Sequence, residues 1–511
     1  MIDVARAVVT AFALFAAGCA SLPSLEGRNR TSAISDTAAT TLGRCVAAGL
    51  TSNPGKSGVY PLQVATDAFA ARVLLAAAAE KSLDVQYYIW HSDQTGWQLF
   101  EALWRAAERG VRVRLLLDDA NTGGEDATIA ALDAHPNIEV RLYNPLLPRS
   151  ARALNFLTDF ERVNRRMHNK SFTADNQVSV VGGRNVGNEY FGAGDDVEFS
   201  DLDVMVVGPV VREVSEEFDL YWNSASAYPA ARIVGEAGPE AAAKVEAKFA
   251  EVRADPDSRV YLDAVRQTEL VQELLARKLP LEWVDARVVS DDPAKTLDTT
   301  SRRDVLLLTE LLPVIGRPST SFDLVSPYFV PGDEGTAALE KLARSGVKVR
   351  VLTNSLAATD VSAVHAGYAK RRCDLLRAGV QLYELKPSAR PSGRESKHGS
   401  SSASLHAKTS ALDRQRIFVG SFNFDQRSAL LNTEMGIVIQ SPALAGRLSS
   451  VFDGDIPKQA YEARIAADGR CPEWIERTPT GEVRYDVEPG TGAGQRAWID
   501  FLETLPIEWL L

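Results

Sequence analysis

Cysteine and methionine are scarce in this chain, with four of each among 511 residues, and histidine is little commoner at six. No C-x-x-C pair occurs and the histidines are scattered, which excludes the ligand spacing of zinc fingers and ribbons. A basic surplus is missing too. Lys and Arg number 56 against 67 Asp and Glu, a formal net charge of −11, which argues against a dedicated nucleic-acid binder. One local run, RVNRRMHNK, is basic all the same, and reads either as a solvated face or as a phosphate-steering patch. Long apolar runs are lacking: Ala7 to Gly18 is apolar but for Thr10, short of the roughly 20 residues a membrane-spanning helix needs. The 45% hydrophobic content suits a folded body, and the length suffices for two or three domains.

What the chain does have is one stretch written twice. Residues 168–185 read HNKSFTADNQVSVVGGRN and residues 406–423 read HAKTSALDRQRIFVGSFN. The shared positions are His168, Lys170, Asp175, Gly182, Gly183 and Asn185, and His406, Lys408, Asp413, Gly420, Ser421 and Asn423. Apolar residues on both sides of each Asp predict a strand, a polar hairpin turn and a second strand ending in a glycine turn. In extended chain, residues two apart share a face, so each His points the same way as its Lys. An ammonium offsets phosphate charge while an imidazole supplies a nucleophile or a proton. One imidazole cannot attack phosphorus and protonate the oxygen leaving on the opposite side in the same step, but two copies facing each other can.

These paired motifs resemble the signature of the phospholipase D superfamily. The resemblance implies two half-domains meeting at one site, a phosphohistidine intermediate, and no cofactor or metal. It implies His168 as nucleophile and His406 as general acid and then base, although by sequence the two roles could be exchanged. Lys170, Lys408, Asn185 and Asn423 match the phosphate-holding positions. Asp175 and Asp413 fall where the hairpins turn, and are read as turn residues first with a direct catalytic role as the alternative. Each His also needs a carboxylate on its other ring nitrogen. Single acids in otherwise apolar strands follow each motif, and the expected pairs are Asp203 with His168 and Glu434 with His406.

Longer strings narrow the likeness. LDVQYYIW, GVRVRLLLDD, FSDLDVMVVGPVV, SDDPAK, LTNSLAATDVSAVHAGYA, GSFNFDQRSALLNTEMG and the closing EWLL are similar to bacterial cardiolipin synthases, and among them to the C type. The likeness spans roughly residues 58 to 511. It implies a phosphatidyltransferase that makes cardiolipin from phosphatidylethanolamine or phosphatidylglycerol as donor and phosphatidylglycerol as acceptor. Phospholipid substrates and a membrane surface are the expected partners, and nucleic acid is not. The alternative is a phosphodiesterase that hydrolyses phospholipids; a nuclease using the same motifs is disfavoured by the acidic charge.

Strands alternate with helices from about Tyr60, which predicts an α/β fold with mixed, mostly parallel sheets flanked by helices. The order recurs downstream. Gly110 to Gly346 is 236 residues, Val140 to Val380 is 240 and His168 to His406 is 238, so two lobes related by a pseudo-twofold follow. The expected division is a signal segment at 1–18, a lipid-anchored tether at 19–57, a first lobe at 58–235, a helical insert at 236–300, a second lobe at 301–465 and a C-terminal extension at 466–511. The insert reads as a connector or as a flap over the site. PSARPSGRESKHGSSSAS, ahead of the second motif, reads as a surface loop or a mobile lid. His365, in VHAGYAKRR, is a candidate substrate contact. The closing WIDFLETLPIEWLL either packs on the body or touches a membrane interface.

Ala16, Ala17, Gly18 and Cys19 resemble a bacterial lipobox, which implies lipidation of Cys19 and a place on the periplasmic side of the cell envelope, inner or outer membrane undecided. An uncleaved membrane anchor is the alternative. Cys45, Cys373 and Cys471 then leave room for one disulfide and one free thiol, and spacing does not choose the pair.

Overall fold

A computed structural model describes residues 22–193, 198–276, 278–297, 306–387 and 403–511. The signal segment, Cys19 and most of the Pro, Gly and Ser-rich stretch before the second motif lie outside the described residues. The duplicated sequence gives two sheets of the same plan. The first runs, edge to edge, Glu282–Val284, Ser57–Leu62, Asp203–Val207, Val178–Gly182, Ser171–Ala174, Ser82–Tyr87, Arg112–Asp118, Ile138–Tyr143 and Ala227–Pro229. The second runs Ala286–Ser290, Met435–Ile439, Arg416–Gly420, Lys408–Leu412, Ser321–Val325, Lys348–Asn354, Gln381–Leu385, Ala460–Arg464, Glu473–Thr478 and Gly481–Tyr485. Seven consecutive strands, from Asp203–Val207 to Ala227–Pro229, correspond one to one with those from Met435–Ile439 to Ala460–Arg464.

The sheets are mixed, but they are not mostly parallel. Only Ser82–Tyr87, Arg112–Asp118 and Ile138–Tyr143, and their counterparts in the second sheet, pair in parallel. The motif hairpin and the strand after it pair antiparallel, because a tight turn can only return the chain alongside itself. Helices cover the parallel part, as crossovers require. Gln94–Glu108, for instance, buries Leu99, Phe100, Leu103 and Trp104 and closes at Gly110 with φ +91°.

The two sheets carry a buried Asp–Arg pair at matching positions. Asp84 lies opposite Arg114 in register, and Arg114 also reaches Asp219 at 2.8 Å. Asp323 lies opposite Arg350, which also holds Asp453 at 2.5 Å. Buried charges persist only when paired, and both sheets meet that need with an Asp and an Arg in register on neighbouring strands.

The lobes share an apolar core. Val181, Val204, Val206, Val210 and Val214 of the first pack with Ile417, Val419, Ile437 and Ile439 of the second. At about 1.5–3 kcal/mol for each such side chain, this seam holds the lobes as one body.

Residues 22–57 are not a free tether. Arg28 donates to the carbonyls of Asn223, Ser224 and Ala227, Trp222 Nε1 donates to Thr31, and Thr41–Ser52 forms a helix. The expected helical insert has helices at Ala241–Ala254, Pro256–Arg266 and Glu269–Leu275, seated on the first lobe through Phe249 against Trp97 and Trp104 and Tyr261 against Phe69. It then supplies Glu282–Val284 to one sheet and Ala286–Ser290 to the other. The C-terminal extension adds two strands to the second sheet and packs Ile499 and Leu502 of helix Ala493–Glu503 inward. Cys373 pairs with Cys471, and Cys45 is free and exposed. No helix among the described residues is long and apolar enough to cross a membrane.

Candidate active site

Both motifs fold as hairpins with their Asp at the turn. Asp175 and Asn176 have φ near +50°, and Asp413 and Arg414 near +55°, the left-handed pair that a two-residue hairpin turn demands. Asp175 accepts the backbone N–H groups of Glu80, Lys81 and Ser82, which lead into Ser82–Tyr87. Asp413 accepts those of Ser319, Thr320 and Ser321, which lead into Ser321–Val325. Each Asp therefore binds its hairpin to the neighbouring strand of its own sheet.

The two histidines are held across the lobe boundary. The His168 backbone N–H donates to Thr433 O at 2.8 Å, and that of His406 to Ser200 O at 2.8 Å. Short parallel pairings, Met167 with Thr433 and Glu198–Ser200 with Ala403–Leu405, tie the lobes at these points. The side chains follow the same exchange. His168 Nδ1 lies 2.8 Å from Glu434 Oε2, a residue of the second lobe, and His406 Nδ1 lies 2.5 Å from Asp201 Oδ2, a residue of the first.

This corrects both expected pairings. Glu434 orients His168, not His406, and the carboxylate on His406 is Asp201, not Asp203. Strand register explains the slip: Gly182 lies opposite Asp203 while Gly420 lies opposite Gly436, so Asp203 corresponds to Gly436 and Asp201 to Glu434. Asp203 is instead fully buried against Arg72 at 2.8 Å and Arg184 at 3.5 Å. The motif glycines make room for this. A Cβ on Gly183 would sit 2.3 Å from Asp201 Oδ1, and one on Gly182 would sit 2.2 Å from Asp203 Oδ1. In the second motif Ser421 stands in place of Gly183, and its hydroxyl donates to Glu434 Oε2.

Lys170 and Lys408 are buried beside their histidines, donating to the carbonyls of His168 and His406 respectively. Burial lowers Lys170 to about 7 and Lys408 to about 8, and the charge of Lys408 depresses Lys170 further. His168 is lowered well below its ordinary value by burial, then by Lys170 and Lys408. His406 is lowered to about 4 by burial and Lys408, against the pull of Asp201. That Lys408 acts on His168, and Lys170 on His406, places the four groups in one electrostatic field. Burial works to raise Asp201, but His406, Lys408 and Arg184 outweigh it and hold the carboxyl below the usual range. Glu434 is pushed up to about 7 by burial.

Asn185 is buried, accepting Ile89 N–H and donating to the Tyr190 hydroxyl. Asn423 is buried with its side-chain carbonyl unpartnered. His365 is not in the site. It is 2% exposed, and its Nε2 lies 2.9 Å from Glu488, which also binds Arg372 at 2.7 Å, so it anchors the C-terminal extension. A helix running past the core explains why a histidine there finds a structural partner instead of substrate.

Several residues escaped the sequence reading. Tyr88 packs edge-on to His168 at 4.9 Å, and Tyr190 and Phe199 pack on His406 at 5.2 and 5.1 Å. Asp118 accepts from Arg166 and from Met167 N–H, while Asn354, at the same strand end of the second lobe, brackets Leu405. Polar ends on the parallel strands, LLLDD and VLTN, were the available signal for these two clamps. Asp291 accepts Glu434 N–H and pairs with Lys295, which gives SDDPAK a place behind Glu434. Among the described residues His91, Asp93 and Glu189 bring ligand-type atoms within 4.8 Å of one another, but both Asp93 oxygens already accept backbone N–H groups, from Gly96 and Asn188.

The arrangement holds two imidazoles, each with Nδ1 on a carboxylate of the other lobe, and two buried ammonium groups, each donating to the backbone carbonyl of its own histidine. It can carry a nucleophile and a proton donor to one phosphorus. Residues 74–222 and 311–456 match the family model described as "Cardiolipin synthase, PLD-like domain". Cardiolipin synthase C of Escherichia coli (strain K12) is 48% identical over 462 residues, 90% of this chain and 97% of that protein. The major cardiolipin synthase ClsA of Bacillus subtilis (strain 168) is 26% identical over 78% of this chain and 68% of its own. Among solved structures, phosphatidylserine synthase of Haemophilus influenzae Rd KW20 shares the fold with a TM-score of 0.52 at 12% identity, covering 82% of this chain and 91% of that one.

Proposed function

Since the chain belongs to the cardiolipin synthase family of phospholipase D-like proteins, we propose that it transfers a phosphatidyl group from phosphatidylethanolamine or phosphatidylglycerol to a hydroxyl of phosphatidylglycerol, making cardiolipin. The observation that carries the reading is the exchange of carboxylates between lobes, which fixes both imidazoles about one site.

In the first displacement His168 Nε2 attacks the donor phosphorus. The bond from phosphorus to the headgroup oxygen breaks, and that oxygen takes the proton of His406 Nε2. The product is a phosphohistidine and a free alcohol or amino-alcohol. In the second, His406 removes the proton of the acceptor hydroxyl, the oxygen attacks phosphorus, and the bond from phosphorus to nitrogen breaks to restore His168. Lys170, Lys408 and Asn423 offset charge building on the phosphoryl oxygens.

Two features support this division of roles. His168 is held neutral by burial and the two lysines, as a nucleophile must be. His406 faces an ionised Asp201, which stabilises the imidazolium that an acid needs. A bound phosphodiester anion cancels part of the lysine charge that depresses His406, so substrate itself raises the acid's proton affinity.

The test is purified protein with labelled phosphatidylethanolamine and phosphatidylglycerol in chelator-containing buffer. Cardiolipin forms, and His168→Ala or His406→Ala reduces it to background. Phosphatidic acid as sole product would replace transfer by hydrolysis, and DNA nicking without lipid turnover would replace both. Lipidation of Cys19 and a periplasmic envelope location belong to the same proposal, and radiolabelled palmitate incorporation lost in Cys19→Ala tests them.

A further inference from the structure

Beside the His168 end of the site, three separate pieces of chain turn apolar side chains outward. Leu154, Phe156, Leu157 and Phe160 lie on the short turns between Arg149 and Val163, Leu430 ends the helix after Asn423, and Trp509 closes the chain. Leu157 is 83% exposed and Trp509 56%. The pieces touch. Phe160 and Trp509 approach to 6.4 Å, and Arg427 binds both ends of the group, donating its guanidinium to Asn164 and its backbone N–H to Leu511 O. Arg427 is also near enough to His168 for its charge to act on the ring. Apolar side chains gathered into one rim from residues distant in sequence, and tied through Arg427 and Asn164 to the chain leading into His168, are unlike the singly scattered apolar residues of an ordinary surface.

A second observation concerns the N-terminal chain. Arg28 binds the turn at 223–227 from one side through the carbonyls of Asn223, Ser224 and Ala227. Asn144 binds the same turn from the other side at Ser226 O, and its amide holds the carbonyls of Arg162 and Arg165 at the base of the rim. Cys19, whose lipidation is part of the proposed function, lies nine residues ahead of Arg28. A membrane-seated N-terminus would thus deliver the body to the bilayer with this rim on the near side.

We propose that the rim is the face by which the protein lies on a phospholipid bilayer, with Phe156, Leu157, Phe160 and Trp509 seated at the headgroup boundary. The Trp509 indole with its polar N–H, and phenylalanine and leucine side chains without one, suit that depth. Seated so, the site opens directly onto the headgroup phosphates. The purpose of the face rests on the phosphatidyl-transfer reading; its detection does not.

Full-length protein on vesicles of phosphatidylethanolamine and phosphatidylglycerol, brominated near the headgroup end of the chains, tests the face. The expected result is tryptophan quenching of which a distinct part disappears in Trp509→Phe. Identical quenching in the two proteins overturns the proposal. In turnover, Leu157→Asp with Phe160→Asp is expected to lower the rate on vesicles at least tenfold while leaving the rate on short-chain, monomerically dissolved phospholipid within twofold. Equal loss on both substrates, or no loss on vesicles, overturns it. So does a concentration-dependent dimer in sedimentation that Leu157→Asp dissolves, since the rim would then join two copies. A wild-type protein that shows the Trp509 quenching but turns over no lipid would keep the face and sink the transferase reading instead.

Discussion

Gly183 and Ser421 stand at the same position of the two motifs and treat their carboxylates differently. Gly183 leaves Asp201 to His406, Lys408 and Arg184, and the acid stays ionised. Ser421 donates a hydroxyl to Glu434, yet burial still pushes that acid up to about 7. The duplicated site is therefore not electrically symmetric, and neither are the lysines indifferent to pH. In the proposed mechanism Lys170 and Lys408 hold phosphate as cations, and cations are lost as pH rises through their values of about 7 and 8. The expected profile of kcat/KM falls on the alkaline side within that range, and Lys170→Arg, whose charge persists, moves the limb to higher pH at some cost in rate. A profile flat to pH 9.5 would show that the free enzyme does not feel these lysines. The sequence showed His, Lys and Asn of the site directly, since their types and spacing state their chemistry. It did not show which acid serves which ring, because SDLD offers two acids on one face and only the opposite strand decides between them.

At the scale of the element, the third letter of each motif is a fastener. Asp175 is fully buried and accepts three backbone N–H groups that have no other partner nearby. Asp175→Ala leaves them unsatisfied, and the expected loss is about 3 kcal/mol or more in denaturant unfolding. Asp413 makes the same bonds nearer the surface. Burial works to raise it, but the amides of residues 319–321 prevail and hold it below the ordinary carboxylate range. A depressed carboxyl stabilises the fold above its unfolded value of about 3.9 and loses that contribution as pH falls through the folded value. Wild type is therefore expected to melt lower on acidification below pH 4, and Asp413→Asn to flatten that acid limb; an unchanged acid slope in the variant would deny the linkage. Helices and strands were legible where periodicity was strong, as in Gln94–Glu108 followed by Arg112–Asp118. The insert carries the helices its sequence predicts, while Glu282–Val284 and Ala286–Ser290 are not legible, being short edge strands whose pairing partners lie in different lobes. Parallel strands were overestimated for a related reason: alternation of helix and strand was visible, while the antiparallel returns of each hairpin were not carried into the sheet as a whole.

At the scale of the whole molecule, the exchange of carboxylates makes the lobes one catalytic body. His168 of the first lobe depends on Glu434 of the second, and His406 of the second on Asp201 of the first. The repeat in the sequence announced two lobes and a site between them; it could not announce that each lobe completes the other's histidine. Function should then divide by pair and not by lobe. In the proposed mechanism His168 with Glu434 serves attack on phosphorus, whereas His406 with Asp201 serves the proton to the leaving oxygen. A phosphatidyl ester of p-nitrophenol leaves as a stable anion and needs no proton. On that substrate the first displacement should survive Asp201→Asn and His406→Ala with a loss of tenfold or less, although both cut cardiolipin formation from natural donors by about 10²–10⁴. Glu434→Gln and His168→Ala should abolish or severely slow p-nitrophenol release, and Glu434→Gln added to His168→Ala should cost nothing more, because the partner it orients is already gone. Rescue of the His168 pair by the activated ester, with failure of the His406 pair, would exchange the two roles; loss of all four variants alike would remove the division of labour and leave only a shared structural scaffold.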